Sequence, residues 1–199
     1  MHLFFMKRSI LLSVLLLTCI LPLFSQKGTS QFSIVAGYEH FPELRARNGY
    51  NIGTEFKHYV HNRFYVVANF HAGINDGSKH VEYTNRDVDY KFDLYNSVRD
   101  YMVGFGLGAD VMHIKRHKIY LQCTAGLGSS EVSEDYITSI FFTDMVKTNE
   151  QKAVRFAVSA SAGYEYQLTD WLAIGANYTA WQIGYEMKNS TNIKLGITF

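Results

Sequence analysis

The chain has 199 residues, 47% of them hydrophobic, 15% aromatic and 19% charged, with 15 Gly, 2 Pro and 2 Cys. This mix suits one domain and excludes a disordered or low-complexity chain. The formal charge is +1, but Lys7 and Arg8 are the only charges before Gln26, so residues 26–199 keep 17 of the 19 Lys+Arg against all 18 Asp+Glu. A near-neutral balance excludes a nucleic-acid binder, which needs a basic face, and two cysteines exclude a disulfide scaffold or a Cys-rich zinc centre.

Residues 1–25 read as a secretory signal peptide. Lys7-Arg8 precede the apolar stretches Ile10–Leu12 and Val14–Leu17, and Leu21-Pro22-Leu23-Phe24-Ser25 leads into the polar Gln26. A membrane anchor is disfavoured because the run is short and breaks at Pro22. Cys19 fits a lipoprotein signal poorly, with Thr18 before it and Ile20-Leu21 after it. After Gln26 no run approaches the ~20 apolar residues of a spanning helix, so residues 26–199 are expected to form one exported domain.

From Gln31 onward the dominant period is two, which indicates strands. Eight are expected, over 31–41, 49–59, 63–75, 97–112, 118–129, 153–167, 171–181 and 191–199. Most reach the ~9–11 residues that a tilted strand needs to cross a membrane. One face of these strands holds 41 positions, among them Phe32, Ile52, Phe70, Leu107, Leu127, Phe156, Ile174 and Ile193. Thr54 and His58 are its only polar members, and it carries no Lys, Arg, Asp or Glu.

The opposite face carries Glu39, Glu55, Lys57, Asp110, Arg155, Glu165 and Lys194, together with 11 of the 15 glycines. A soluble barrel with the apolar face inward would be overfilled, since eight strands enclose room only for side chains or one small ligand. The apolar face therefore points to lipid, where a mid-depth charge costs roughly 2–4 kcal/mol. Connections near His61-Asn62, His113–His117 and 168–170 are short. Those through 42–48, 76–96, 130–152 and 182–190 are longer, an alternation that separates periplasm from exterior.

This pattern resembles the small eight-stranded outer-membrane barrels of the OmpX and OmpA transmembrane-domain type, over essentially all of residues 31–199. Its most specific elements are the final strand, alternating Ile193, Leu195 and Ile197 up to Phe199, and the turn Tyr166–Trp171 running into Leu172–Gly175. The resemblance implies an all-β, eight-stranded antiparallel up-and-down transmembrane barrel in the outer membrane. It also implies contact with outer-membrane lipid and lipopolysaccharide, and Phe199 as the signal for the barrel-assembly machinery. No periplasmic domain follows Phe199, so cell-wall binding of the OmpA kind is not implied.

The chemistry-bearing groups are expected to be a lumen charge network of Glu39, Glu55, Lys57, His71, Asp110, Arg155, Glu165 and Lys194. In a narrow interior such charges pair, because an isolated buried charge is prohibitively costly. On that reading they form a plug, and Arg155→Ala should cost about 3–5 kcal/mol. A narrow porin-like channel is the alternative, since lumen charges set selectivity in larger barrels. A lipid A-modifying enzyme built on His71 with Ser159 or Ser161 is the other, although no local motif of that kind is present.

His113 and His117 lack further metal ligands nearby and read as a solvated turn. Cys123 reads as a small lipid-facing hydrophobe. Phe32, Phe64, Tyr164, Tyr166 and Phe199 below, with Tyr50, Tyr101 and Phe156 above, read as interfacial girdles. Val88, Tyr90, Phe92 and Leu94 alternate with Asp89, Lys91 and Asp93, so strands three and four are expected to continue as a protruding hairpin. Its exposed edges would accept a partner's strand. Ile140, Phe141 and Phe142 cap the barrel mouth, lie in the lipid headgroups or form a protein interface. No cofactor, metal or enzymatic activity is expected.

Overall fold

The computed structural model describes residues 28–41, 48–85, 88–140 and 143–199; the leader assigned to residues 1–25 lies outside the described residues. Eight strands follow in chain order: β1 (Ser30–His40), β2 (Asn48–Tyr59), β3 (Phe64–Asn85), β4 (Val88–Ile114), β5 (His117–Ile140), β6 (Thr143–Gln167), β7 (Leu172–Ile183) and β8 (Glu186–Thr198). Each pairs antiparallel with its chain neighbours, and β1 pairs with β8 to close the barrel. At the seam, Ser30 and Phe199 exchange two backbone hydrogen bonds of 2.8 Å. A closed ring leaves no edge, which is how β-structure satisfies its backbone within a bilayer.

Alternation sorts the side chains as the period of two requires. Ile52, Phe105, Leu107, Leu127, Phe156 and Ile193 are exposed on the outside, whereas Lys57, Tyr65, Tyr120, Glu165 and Lys194 are buried inside. A β-bulge between Asp110 and Met112 interrupts β4, so Val111 and Met112 are both exposed. Beyond it, β4 and β5 join through Lys115 and Arg116, and Lys115 takes the left-handed conformation (φ 54°) that a two-residue hairpin turn demands.

The lumen is filled by rings lying over glycines. Tyr65 is buried against Gly108 on β4, and Tyr120 against Gly163 on β6. A Cβ at Gly108 would come within 2.3 Å of the Tyr65 ring, and one at Gly163 within 2.5 Å of the Tyr120 ring. The absence of a side chain at these two positions is what lets a tyrosine lie across a narrow interior.

The strands are longer than the alternation indicates. The region expected as a connection over 130–152 is strand on both sides, with β5 and β6 paired up to Ile140↔Thr143. The expected connection over 182–190 is a tight turn at Gly184 (φ +61°) and Tyr185, with β8 starting at Glu186. As expected, β3 and β4 continue as a hairpin, paired to Asn85↔Val88. The sheet is therefore uneven: β2 stops pairing with β3 at Gly49↔Asn75 and β7 stops pairing with β6 at Ala157↔Ile183. Above those levels β3–β6 rise as a wall on one side of the mouth.

Candidate functional site

The lumen holds two charge clusters. In the half nearer the short turns, Lys194 contacts Glu55 and lies 2.6 Å from Glu165, while Lys57 lies 2.9 Å from Glu165 and 3.5 Å from Glu55. Gln122 donates to Glu55 (2.5 Å), Gln31 donates to Glu165 (3.3 Å), and the Tyr65 hydroxyl donates to Gln122 (3.1 Å). The Lys57 ammonium also sits 3.7 Å from the centre of the Tyr120 ring. The Tyr59 hydroxyl donates to Asp110 (3.1 Å), and Lys118 lies over the Tyr59 ring. Glu55, Glu165 and Asp110 thus balance Lys57, Lys194 and Lys118, each cation and carboxylate held by hydrogen bonds or rings as burial requires.

The second cluster lies toward the mouth. His71 Nε2 is 3.0 Å from Glu39 and 3.3 Å from Asp100, and Lys188 reaches in from β8 to lie 3.2 Å from Glu39, 2.7 Å from His71 and in contact with Asp100. The Trp181 indole packs on the His71 ring at 4.3 Å between centroids and donates its N–H to Ser190 (3.0 Å). Phe41 and Val98, with Val132 packed against them, form an apolar group beside this cluster, the Phe41 ring 5.4 Å from the Lys188 ammonium. Between the two clusters lies a chamber of about 30 Å³ lined by Asn51, Asn69, Asn177, Asn192, Ser161 and Thr179. Its orphaned amide atoms on Asn51, Asn69 and Asn192 suit one or two ordered waters.

Seven of the eight anticipated lumen residues are buried inside: Glu39, Glu55, Lys57, His71, Asp110, Glu165 and Lys194. Arg155 is a correction. Its side chain is 37% exposed at the mouth and its carboxylate contact, Glu186, is 3.7 Å away. It lies two residues above the last β6–β7 pair, where β7 no longer flanks it, so the expected penalty for losing it falls from a buried pair's to a surface pair's. Lys188, Asp100 and Lys118 were not anticipated, although Asp100 and Lys118 each lie one residue beyond an apolar position already read as outward.

Ser159 and Ser161 bond to Thr124 (2.7 Å) and Thr179 (2.9 Å), so neither is engaged by His71. His117 bonds to the Tyr164 hydroxyl (2.7 Å) and His113 to the Lys115 carbonyl oxygen (3.2 Å).

The wall is amphipathic. Tyr83, Tyr90 and Phe92 stack on one face, with centroids 5.6–6.4 Å apart. The other face carries a charge lattice in which His80 bonds to Asp93 (2.7 Å) and Glu82 (2.9 Å), and Lys91 lies 3.0 Å from Glu82. The two carboxylates hold the His80 imidazole above its ordinary pKa, the Glu82 bond contributing most. The β4–β5 ladder ends at Asn96↔Glu134, above which the hairpins are joined by side chains. Asp144 accepts from the Tyr83 hydroxyl (2.8 Å) and the Asn85 amide (2.9 Å), and Asp135 accepts from the Tyr95 N–H (2.9 Å). Val88 is exposed and Tyr90 and Phe92 are half-buried; Phe141, Phe142 and the Ile140 side chain lie outside the described residues.

No protein-family model and no curated protein matches the chain. Among solved structures it is similar to Ail, the attachment invasion locus protein of Yersinia pestis, in complex with the heparin analogue sucrose octasulfate. The two are 15% identical, the match covers 87% of this chain and 99% of that one, and the TM-score is 0.53. A second Ail structure is 14% identical with the same coverage and a TM-score of 0.52. Neisserial surface protein A is 14% identical over 86% of this chain and 96% of that one, with a TM-score of 0.49. The fold is that of the small eight-stranded outer-membrane barrels.

The exterior of this outer-membrane barrel carries the matching chemistry. A belt that includes Ile34, Ile52, Val103, Phe105, Leu107, Leu121 and Leu195 is exposed on the outside, and Cys123 lies among these outward residues. Phe64, Tyr164 and Phe199 at one rim and Tyr50, Tyr101 and Phe156 at the other are exposed, at the levels where aromatic side chains bridge acyl chains and headgroups.

Proposed function

We propose that this outer-membrane barrel is a non-enzymatic surface-binding protein whose lumen is closed by its charge clusters and whose β3–β6 wall presents the binding surface. The observation that carries this reading is the edge of β6 over residues 143–155, unpaired among the described residues and matched by that of β3 over 76–85. Such edges expose rows of N–H and C=O groups able to take up a partner's extended segment. Asp144, accepting from Tyr83 and Asn85, and Asp135, accepting from the Tyr95 N–H, hold the two hairpins together, which presents those edges at low ordering cost.

Among the described residues of 76–99 and 131–155, nine carboxylates (Asp76, Glu82, Asp89, Asp93, Glu131, Glu134, Asp135, Asp144, Glu150) outnumber six cations (Lys79, Lys91, Arg99, Lys147, Lys152, Arg155). An acidic wall favours a protein strand over a sulfated polyanion of the kind bound to Ail. Outer-membrane lipid and lipopolysaccharide surround the belt, and Phe199 serves the assembly machinery.

The test replaces residues 78–95 and 136–147 each with a two-residue turn. The truncated barrel should still migrate anomalously before boiling, and it should lose the envelope or host-surface proteins that crosslink to the intact barrel. Retained crosslinks would remove the wall from the function. In planar bilayers the intact protein should give no unitary conductance; steady openings would favour the narrow-channel reading.

A further inference from the structure

We propose that Glu39, His71 and Asp100 form a binding site for a divalent transition-metal ion of the zinc class, entered from the mouth, in which Lys188 acts as a displaceable tethered cation. Three donors from β1, β3 and β4 converge here without contact with the periplasmic-side cluster. Their spacing already suits a metal. His71 Nε2 lies 3.0 Å from Glu39 Oε2 and 3.3 Å from Asp100 Oδ2. The edge of a tetrahedron with Zn–N and Zn–O bonds of 2.0–2.1 Å is about 3.3 Å. Imidazole with two carboxylates is a donor set for a borderline divalent ion rather than for calcium or magnesium.

Two independent observations point to a cation. One is present: the Lys188 ammonium sits among the three donors, 2.7 Å from His71 and 3.2 Å from Glu39, at hydrogen-bond distances. The other is an unspent acceptor: Glu39 is fully buried, and its Oε2, the oxygen facing His71, has no hydrogen-bond partner. Charge counting agrees. Two carboxylates and one ammonium leave one negative charge in a buried site, whereas a divalent ion in the ammonium's place cancels both carboxylates.

Asp100 is the direct cross-strand neighbour of Ser130, which donates to Glu186 (2.6 Å) in a recess of about 390 Å³ that Glu150 also lines. Glu186, two residues from Lys188 on the same face of β8, offers the released ammonium a counter-charge. Metal binding thereby replaces a link between β8 and the β1–β3–β4 side of the lumen by one that leaves β8 out.

The test is zinc titration of the folded, metal-stripped full-length barrel in detergent, followed by calorimetry, with cobalt absorption as a second reading. The wild type should take up one equivalent. Asp100→Asn and His71→Ala should lose it while keeping the migration shift of a folded barrel. His80→Ala, which removes the surface His80–Glu82–Asp93 group, should retain it. Lys188→Met should bind at least about tenfold tighter, having no ammonium to displace. Absence of uptake by the wild type, uptake that survives Asp100→Asn or disappears with His80→Ala, or unchanged affinity in Lys188→Met would each overturn the proposal. None of these outcomes bears on the wall, so the proposed surface binding stands or falls separately.

Discussion

The ring of Tyr120 lies across the backbone of Gly163, its direct partner on the neighbouring strand, so closely that a Cβ there would fall 2.5 Å from the ring. Tyr120 is fully buried and carries the Lys57 ammonium on its face, so it has nowhere to retreat. Gly163→Ala should therefore lower the unfolding free energy by about 1–3 kcal/mol, the usual range for overpacking. Urea unfolding in micelles reads this, and an unchanged midpoint would show that the ring has room to move.

Lys194 in the lumen and Arg155 at the mouth make contrasting predictions. Lys194→Met leaves Glu55 and Glu165 sharing Lys57 alone and should cost about 3–5 kcal/mol. Arg155→Ala removes a half-exposed pair at 3.7 Å and should cost no more than about 1 kcal/mol. Equal losses in the same unfolding assay would contradict the depth difference between them.

His80 gives the wall a pH dependence. Its imidazolium is favoured by Glu82 first and Asp93 second, so its pKa in the folded hairpin lies above the ordinary 6.5. A group raised on folding contributes fully below its unfolded pKa and loses that contribution as the pH rises through the folded one. Amide exchange of residues 79–94, corrected for intrinsic base catalysis, should thus accelerate above pH 6.5. His80→Ala should abolish that dependence while barrel amides stay unchanged.

Asp144 is predicted to be the staple of the two hairpins. The Tyr83 hydroxyl is pushed up to about 12, by burial first and then by its bond to Asp144. Asp144→Ala should bring the Tyr83 titration down toward 10 and raise exchange at the hairpin tips without altering the migration of the folded barrel. Ultraviolet difference titration against a Tyr83→Phe reference checks it.

The legible parts of this molecule are those that lipid dictates. Outward positions such as Leu107 and Ile193 must be apolar whatever the protein does, and once their phase is fixed, Glu39, Glu55 and Glu165 follow as inward residues. Parity reports a face but not a height, which is why Arg155 was placed in the lumen although it stands above the last β6–β7 pair. Lys188 was hidden for the converse reason. Beside it on the outer face stand Met187 and Asn189, above the level where hydrocarbon imposes alternation, so the sequence there reads as a connection. The same loss of constraint hid the upper halves of β5 and β6, where the outward positions Glu131, Ser133 and Asp135 are polar.

Cys123 points outward from β5 and is the only thiol after Gln26. The protein thus carries a native depth gauge. A nitroxide attached there, without any engineered substitution, should relax faster with dissolved oxygen than with an aqueous nickel chelate, and the ratio of the two would report how far from the headgroups this part of the strand is immersed.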